Sequence, residues 1–159
     1  MATEINIRRG NSDDFARLGE IVHLAIHGSA DRYTPLQKKA WSPEPRDAKA
    51  MSDRIGTAAV WVAETDDLVI GFMTLEGSGY VDFAYILADW QGRGVFRRLY
   101  EAIEFQAQTN EIKQLSTHAS LQAYKAFGHF GFEVLYPETV EVSGAWLPRF
   151  YMEKRLVRR

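Results

Sequence analysis

The most informative segment of the chain is Tyr85-Ile86-Leu87-Ala88-Asp89-Trp90-Gln91-Gly92-Arg93-Gly94-Val95-Phe96-Arg97-Arg98-Leu99. Its first residues predict the end of a buried strand, its two glycines predict a turn, and residues 92–108 predict a helix with an apolar stripe. Glycine lets successive backbone N–H groups point outward, and a helix N-terminus carries partial positive charge. Arginine side chains add formal positive charge to the same turn. The stretch therefore predicts a site for a phosphate or pyrophosphate group.

Two common phosphate-binding motifs do not fit this turn. The phosphate loop of nucleoside triphosphatases requires G-x-x-x-x-G-K-[ST], and the sequence has no Gly-Lys-Ser or Gly-Lys-Thr. The dinucleotide motif requires a third glycine at the position of Arg97 and an acidic residue after the following strand. Both motifs are excluded, which leaves another class of phosphate-bearing ligand.

Strands and helices alternate on both sides of this stretch. A strand at 4–8 precedes a helix whose apolar face runs from Phe15 to Ile26, with Ser12 as its predicted N-cap. The segment 35–53 contains three prolines and is the least regular part of the chain. The other predicted elements are a short helix within 33–41, strands at 59–65, 68–76 and 80–87, a strand at 115–118, a helix at 120–129, and strands at 132–142 and 146–156. This order predicts an α/β class of the mixed α+β kind, with all strands in one sheet.

The composition predicts a single globular domain over residues 1–159. Lys and Arg total 19 and Asp and Glu total 21, so the formal net charge is −2 and a nucleic-acid partner is not expected. There is no cysteine, which excludes disulfides, thiolate metal sites and a cysteine nucleophile. The sequence shows no basic-then-apolar leader and no apolar run of bilayer length. We therefore expect a cytoplasmic protein with no membrane partner.

Four ordered segments resemble the GNAT superfamily of acyl-CoA N-acyltransferases. Residues 91–96 are similar to its Q/R-x-x-G-x-G/A loop, between the expected strand and helix. Residues 119–123 and 128–132 resemble its A-S-x-N-A and G-F segments. Residues 33–43 resemble the Y-[ST]-P-x-Q-x-x-A-W-x-P signature of a subgroup of small bacterial members, the YafP type, and the closing segment 150–154 completes the series. The resemblance spans nearly the whole chain.

The resemblance implies a mostly antiparallel central sheet flanked by about four helices, and an N-acetyltransferase that uses acetyl-CoA as co-substrate without a metal. The acetyl group would pass to a primary amine by direct attack, the acceptor being a small molecule. A backbone N–H near Ile86 or Leu87 would face the developing oxyanion. The coenzyme-binding residues implied are Ile86, Leu87, Ala88, Gln91, Gly92, Arg93, Gly94, Val95, Phe96, Arg97, Gln122 and Phe127.

Two positions depart from the family pattern. Phe96 stands where the loop has Gly or Ala, so a bulky side chain begins where the backbone approaches the pyrophosphate. Phe127 stands where many members have a tyrosine that protonates the leaving thiolate. These departures leave two alternatives open: a non-catalytic acyl-CoA-binding domain, and a peptide or protein N-acetyltransferase that would act on peptides and little on small amines.

Three residues are candidates for proton transfer. Asp82 lies on the same side of the predicted strand as Ile86 and could act as base, although it could equally pair with an arginine. His118 ends a predicted strand at the place where the sheet of this family opens, and the intrinsic pKa of histidine suits a general base. It could equally form only a hydrogen bond to a loop. Tyr124 is about one helical turn before Phe127 and could act as the acid, or lie half-exposed on the helix flank.

The acceptor site is expected to involve His27, Tyr33, Trp41 and Trp146, in segments that the family places toward the acceptor. His23 and His27 have the i, i+4 spacing of a zinc pair, but no Glu lies between them and the sequence offers no third ligand. We therefore expect no metal site. The sequence is also compatible with a homodimer.

Overall fold

The computed structural model describes residues 4–29 and 31–157, which form eight strands and five α-helices. The strands are β1 Asn6–Arg9, β2 Ala59–Thr65, β3 Leu68–Leu75, β4 Tyr80–Val81, β5 Ala84–Ile86, β6 Gln114–Ser120, β7 Glu133–Val142 and β8 Ala145–Arg155. The helices are α1 Phe15–Ser29, α2 Pro35–Trp41, α3 Ala48–Ile55, α4 Val95–Thr109 and α5 Tyr124–His129. The predicted mixed α/β class is confirmed.

The strands form two four-stranded sheets, whereas the sequence predicted one. The first has the order β1-β2-β3-β5 and is antiparallel; the second has the order β4-β6-β8-β7, with β4 and β6 parallel. The predicted single strand at 80–87 breaks at Asp82 and Phe83, so Val81 pairs with Thr117 of the second sheet and Ala84 with Met73 of the first. Phe83 stays bound to β3, because its N–H donates to Thr74 Oγ1 and its C=O accepts from the Thr74 N–H, both at 3.1 Å.

The helix ends differ from the predictions in ways that capping explains. Asn11, not Ser12, caps the first helical turn, since its side chain accepts from the Asp13 N–H at 2.9 Å. Helix α3 was missed in the proline-containing segment, yet Asp47 caps it by accepting from the Ala50 N–H at 2.8 Å. The helix predicted from residue 92 begins only at Val95, because Gly94 is left-handed.

The core lies in two layers that together hold the two sheets. Leu18, Ile21 and Met51 of α1 and α3 are fully buried against one face of the first sheet. Leu99 and Ile103 of α4 are fully buried in a second cluster that also contains residues of α5, β6 and β8. Because each sheet is packed against helices, the two sheets can separate beyond the Val81–Thr117 pair without exposing the core.

Candidate active site

A cleft of about 400 Å³ opens between β5 and β6. The cleft is closed at the end where β4 and β6 pair, and it opens beyond their last pair, Val81 with Thr117. From there the chain continues as β5, which pairs with β3 instead. The chain on one side contributes β5 and the turn into α4, and the chain on the other side contributes the end of β6 and α5. The end of α1 and Trp41 complete the lining. The lining residues are Ala25, Ile26, Ser29, Trp41, Ala84, Tyr85, Ile86, Trp90, Gln91, Gly92, Gly94, Val95, Phe96, Arg97, Ser120, Gln122, Ala123, Ala126, His129 and Phe130.

The glycine turn presents bare backbone to this cleft. Gly92 and Gly94 have φ of +74° and +79°, a conformation that glycine adopts at no steric cost, and the space that a Cβ would occupy at either is open. Gly94 is the N-cap of α4, so the N–H groups of Val95, Phe96 and Arg97 have no carbonyl one turn earlier in the helix to bond. The glycine turn and the start of α4 together provide outward N–H groups and partial positive charge. Both features favour the binding of an anionic phosphate.

The arginines of this segment have different roles. Arg97 lines the cleft and lies over the Phe130 ring at 5.2 Å. Arg93 lies over the Trp90 ring at 4.8 Å, beside the turn but outside the lining. Arg98 donates to the Ile5 C=O at 2.6 Å and so fastens α4 to the residue before β1. Arg97 is therefore the cation best placed to meet a phosphate in the cleft.

The strand register decides which backbone groups of β5 face the cleft. The Leu87 N–H donates to the Ile70 C=O at 3.0 Å, so it is committed to the first sheet. In an antiparallel pair of strands, residues whose N–H and C=O groups bond the neighbouring strand alternate with residues whose N–H and C=O groups point away from it. The backbone groups of Ala84 and Ile86 therefore point away from β3. Two backbone N–H groups were considered from the sequence as donors to an oxyanion. The Leu87 N–H is already bonded to β3, so only the Ile86 N–H is free of that sheet. Leu87 and Ala88 do not line the cleft.

Two glutamines tie both sides of the cleft to the end of α1. Gln91 Nε2 donates to Ser29 Oγ at 2.9 Å and to the Ile86 C=O at 3.0 Å. Gln122 Nε2 donates to the Ser29 C=O at 2.6 Å, and Gln122 Oε1 accepts from the Arg32 N–H at 3.1 Å. The Gln122 amide, expected from sequence to bind the coenzyme chain, thus already bonds the protein backbone through both its donor and its acceptor, while its side chain still lines the cleft.

The Phe96 ring turns onto α5. It stacks on Phe130 with centroids 5.7 Å apart and meets Phe127 edge-on at 5.2 Å. Phe127 is 1% exposed and belongs to the core, so it lies behind the wall of the cleft and outside its lining. The ring leaves the space over Gly92 and Gly94 open.

We expect the Phe96→Ala variant to lose stability but keep coenzyme affinity. Removing a half-buried ring from this aromatic stack should cost about 2 kcal/mol of unfolding free energy. The dissociation constant of CoA should stay within about threefold, because backbone and not the ring meets the ligand. Thermal melts and calorimetric titration with CoA measure both. Phe105→Ala, in the same helix at a side chain 70% exposed, is the control for stability; a tenfold gain in affinity for Phe96→Ala would show that the ring obstructs the site.

The three predicted proton-transfer residues lie outside the cleft lining. Asp82 lies in the break between β4 and β5, so the strand alternation that placed it beside Ile86 does not hold. Its two carboxylate oxygens accept from Arg54 Nε at 2.8 Å and Nη2 at 2.9 Å, which is the arginine pairing named as its alternative. Tyr124 packs on Phe150 of β8 with ring centroids 4.5 Å apart.

His118 is surrounded by aromatic and charged groups of the second sheet. Its Nδ1 lies 2.7 Å from Tyr80 Oη, its Nε2 lies 3.5 Å from Glu138 Oε1, and its ring lies 5.0 Å from that of Tyr151. Burial lowers the pKa of the His118 imidazole below its usual value and Arg149 lowers it further, against opposing effects of Glu138 and Asp82. The imidazole is therefore neutral at neutral pH, the state that a base requires.

The expected acceptor residues are only partly brought together. Trp41 lines the cleft and its ring lies edge-on to Tyr33 at 5.2 Å. Tyr33 is 5% exposed; its hydroxyl donates to the Pro148 C=O at 2.7 Å and accepts from the Leu121 N–H at 3.0 Å. Trp146 is 60% exposed and lies outside the lining.

His27, the fourth expected acceptor residue, bonds within the fold. Its Nε2 lies 2.7 Å from the Ser42 backbone oxygen, and His23 Nδ1 lies 2.8 Å from Ser42 Oγ. Across residues 4–29 and 31–157, no three His, Cys, Asp or Glu side chains are grouped as metal ligands. Nor does any helix in that part of the chain have the length and apolar character needed to cross a membrane.

The residues of α1 and α5 that line the cleft were not predicted from the sequence. The apolar stripe of α1 was assigned to the core, yet Ala25, Ile26 and Ser29 line the cleft. Small residues at the end of such a stripe are the one sequence signal that could have suggested this. The other lining residues not predicted are Ala84, Tyr85, Trp90, Ser120, Ala123, Ala126, His129 and Phe130.

Comparisons with known proteins identify the class that this fold and cleft define. The family model described as the acetyltransferase (GNAT) domain matches residues 29–156. The chain therefore belongs to the GNAT family of acetyltransferases, which confirms the family and the enzyme class predicted from the sequence motifs.

Individual relatives agree with this assignment. The chain is 28% identical over 149 residues to YafP of Escherichia coli (strain K12), named as an uncharacterized N-acetyltransferase, covering 93% of this chain and 94% of that one. A GCN5-related N-acetyltransferase from Rhodopseudomonas palustris has a similar structure, with a TM-score of 0.88 and 27% identity over 98% of this chain and 99% of that one. The protein yncA of Salmonella typhimurium, solved with its cofactor acetyl-CoA, has the same fold, with a TM-score of 0.71 and 19% identity over 99% and 96% of the two chains.

Proposed function

We propose that the protein transfers the acetyl group of acetyl-CoA to a primary amine of a small molecule by direct attack, without a covalent enzyme intermediate. One observation carries the proposal: a cleft between two parted strands has a glycine turn and a helix N-terminus at one end and outward backbone groups along β5. These elements suit the pyrophosphate and the amide-bearing arm of a coenzyme A thioester.

The residues of the cleft divide the work of acyl transfer. The turn at 91–94, the first N–H groups of α4 and the Arg97 guanidinium hold the diphosphate. The Ile86 N–H, which points away from β3, donates to the coenzyme arm or to the oxygen that gains negative charge during attack. Holding thioester and amine together in this orientation supplies much of the rate enhancement. Tyr124 remains our candidate for protonating the thiolate.

The acceptor side favours a small molecule over an extended peptide. Tyr33, just before α2, is fastened to β8 at Pro148 and to Leu121 after β6. Gln37 Nε2 of α2 donates to the Trp146 C=O at 2.8 Å, so the helix itself is joined to β8. An extended peptide needs an open groove with free strand or loop edges, and these bonds close the wall where such a groove would run.

A thiol-release assay with acetyl-CoA over a panel of amines, paired with calorimetric CoA binding, tests the proposal. We expect CoA to bind and at least one small primary amine to be acetylated, with the product identified by mass spectrometry. CoA binding with no turnover on any amine or peptide would make the protein a non-catalytic acyl-CoA-binding domain. Turnover of peptides in preference to every small amine would overturn the acceptor class.

A further inference from the structure

Tyr80 and His118 form a hydrogen-bonded pair of side chains beside the closed end of the cleft, just outside its lining. Strands β4 and β6 pair over two positions only, Tyr80 with Ser116 and Val81 with Thr117. His118 is the next residue of β6 after the last of these pairs. Its Nδ1 lies 2.7 Å from Tyr80 Oη, and the two rings are 5.5 Å apart in an edge-on arrangement. The pair therefore lies where the two sheets part.

The pair lies on the face of the second sheet that α4 and α5 leave open. Leu115 and Ala119 of β6 are buried in the cluster that contains these helices. Since side chains alternate along a strand, Ser116, His118 and Ser120 point to the opposite face. Ser120 lines the cleft, so His118 lies one strand repeat from its wall. An amine that approaches the closed end from this face meets the Tyr80–His118 pair.

The surroundings favour one direction for the hydrogen bond between the two side chains. Glu138 Oε1 lies 3.5 Å from His118 Nε2, and a carboxylate can only accept, so this contact favours the neutral tautomer with its hydrogen on Nε2. Nδ1 then holds a lone pair, and the Tyr80 hydroxyl donates to it. Burial raises the pKa of the Tyr80 phenol and Asp82 raises it further, which keeps this donor protonated. Arg149, the cross-strand partner of Glu138, holds the carboxylate in place.

We propose that Tyr80 is the proton acceptor for the amine and that His118 and Glu138 form a relay behind it. As the amine nitrogen bonds to the acetyl carbon, its proton passes to Tyr80 Oη while the Tyr80 hydroxyl proton passes to His118 Nδ1. Tyrosine ends neutral and His118 becomes an imidazolium, next to a Glu138 carboxylate that also binds Arg149. The half-buried imidazole then returns its proton to water. This proposal rests on the proposed function and assigns the proton transfer within it.

Asp82 is the rival base, and its geometry is unfavourable. Both of its oxygens accept from the Arg54 guanidinium at 2.8 and 2.9 Å. A carboxylate bonded through both oxygens to a permanent cation is a weak proton acceptor, because protonation would break charge-assisted bonds. Its charge still acts on the pair, since Asp82 raises the pKa of both Tyr80 and His118.

The relay predicts the pH dependence of the rate. The groups that face His118 are Tyr80 and Asp82 from the β4 side, Glu138 from β7, and Arg149 and Tyr151 from β8. The relay needs the neutral imidazole, which burial and Arg149 favour by lowering the pKa of His118 from 6.5. The activity should therefore fall at acid pH as His118 takes a proton from solvent, with the midpoint of that fall below the ordinary imidazole pKa of 6.5.

The test compares variants on the amine that the wild-type protein turns over fastest. Tyr80→Phe should lower kcat/KM by roughly 100- to 1000-fold without changing the KM of acetyl-CoA, as expected when a general base is removed. His118→Ala should lower kcat and remove the acid limb of the pH profile. ¹⁵N NMR of labelled histidine should show the Nε2–H tautomer of His118 in the wild type. Tyr136→Phe removes a neighbouring hydroxyl on a ring stacked over Tyr151 and should leave the rate unchanged.

The outcomes separate the relay from the proposed function. A wild-type protein that acetylates an amine while Tyr80→Phe stays within threefold of its rate overturns the relay and leaves the acetyltransferase function standing. A loss of 100-fold or more in Asp82→Asn, with Tyr80→Phe near wild type, assigns the base to Asp82 instead. An Nδ1–H tautomer reverses the hydrogen bond and also overturns the relay. A wild-type protein inactive on every amine removes the proposed function itself.

Discussion

The Gly94→Glu variant should no longer bind CoA measurably. A glutamate at this position must adopt a φ of +79°, which L-residues rarely do, at a cost of about 1–2 kcal/mol. Its carboxylate would enter the open space over the turn, where the diphosphate is expected. Two unit charges about 4 Å apart near a protein surface repel by about 4 kcal/mol, or roughly a thousandfold in affinity.

Two further variants separate the causes of that loss. Gly94→Ala brings the backbone strain without the charge and should weaken binding by much less than Gly94→Glu. Gly56→Glu places the same charge at another positive-φ glycine with open space, at the end of α3 and outside the cleft lining. Calorimetric titration with CoA measures all three, and circular dichroism checks that each folds. If Gly94→Glu keeps wild-type affinity, the diphosphate does not bind at this turn.

The Gly19→Ala variant should be strongly destabilised. A Cβ on Gly19 of α1 would overlap the Arg46 backbone oxygen, and no side-chain rotation relieves an overlap with a backbone atom. The segment before α3 would have to move, and this movement would disturb the packing of α3 against α1. Helix α3 also contains Arg54, the partner of Asp82. We expect a loss of about 3 kcal/mol, or a fall in melting temperature of roughly 6–12 °C.

Gly28→Ala is the matched control, because it makes the same change in the same helix. The added Cβ would come no nearer than 3.7 Å to Ala88 Cβ, an ordinary contact. Alanine is favoured over glycine in a helix by about 1 kcal/mol, so this variant should melt at the same temperature as wild type or slightly higher. Thermal melts of the two variants and the wild type measure these differences in melting temperature. Equal melting temperatures for the two would mean that α1 and the Arg46 segment are not in close contact.

The glycine turn could be predicted because its cause is local. Two glycines after an apolar run and before a periodic apolar stripe specify a strand, a turn and a helix from neighbouring residues alone. The structure adds the positive φ angles and the open space over both glycines. Helix α3 was missed because the prolines before it outweighed the Asp47 capping signal.

The groups that surround the reacting atoms could not be predicted in the same way. Asp82 meets Arg54 from 28 positions away, and His118 meets Tyr80 from 38. Neither partner is visible in a local pattern, and the alternation rule that placed Asp82 beside Ile86 fails at the break between β4 and β5. The hydrogen bonds from Gln91 and Gln122 to Ser29 could not be predicted either, because these residues are also far apart in the chain.

Local patterns were enough to predict the mixed α/β class, the family motifs and the turn expected to hold phosphate, because each depends on residues within a few positions of one another. Three features could be seen only in the folded chain: the sheet divides at Asp82 and Phe83, Ile86 rather than Leu87 turns its N–H away from β3, and Tyr80 lies beside His118. These features arise where strands far apart in the chain pair or part, and packing over the whole domain sets that geometry.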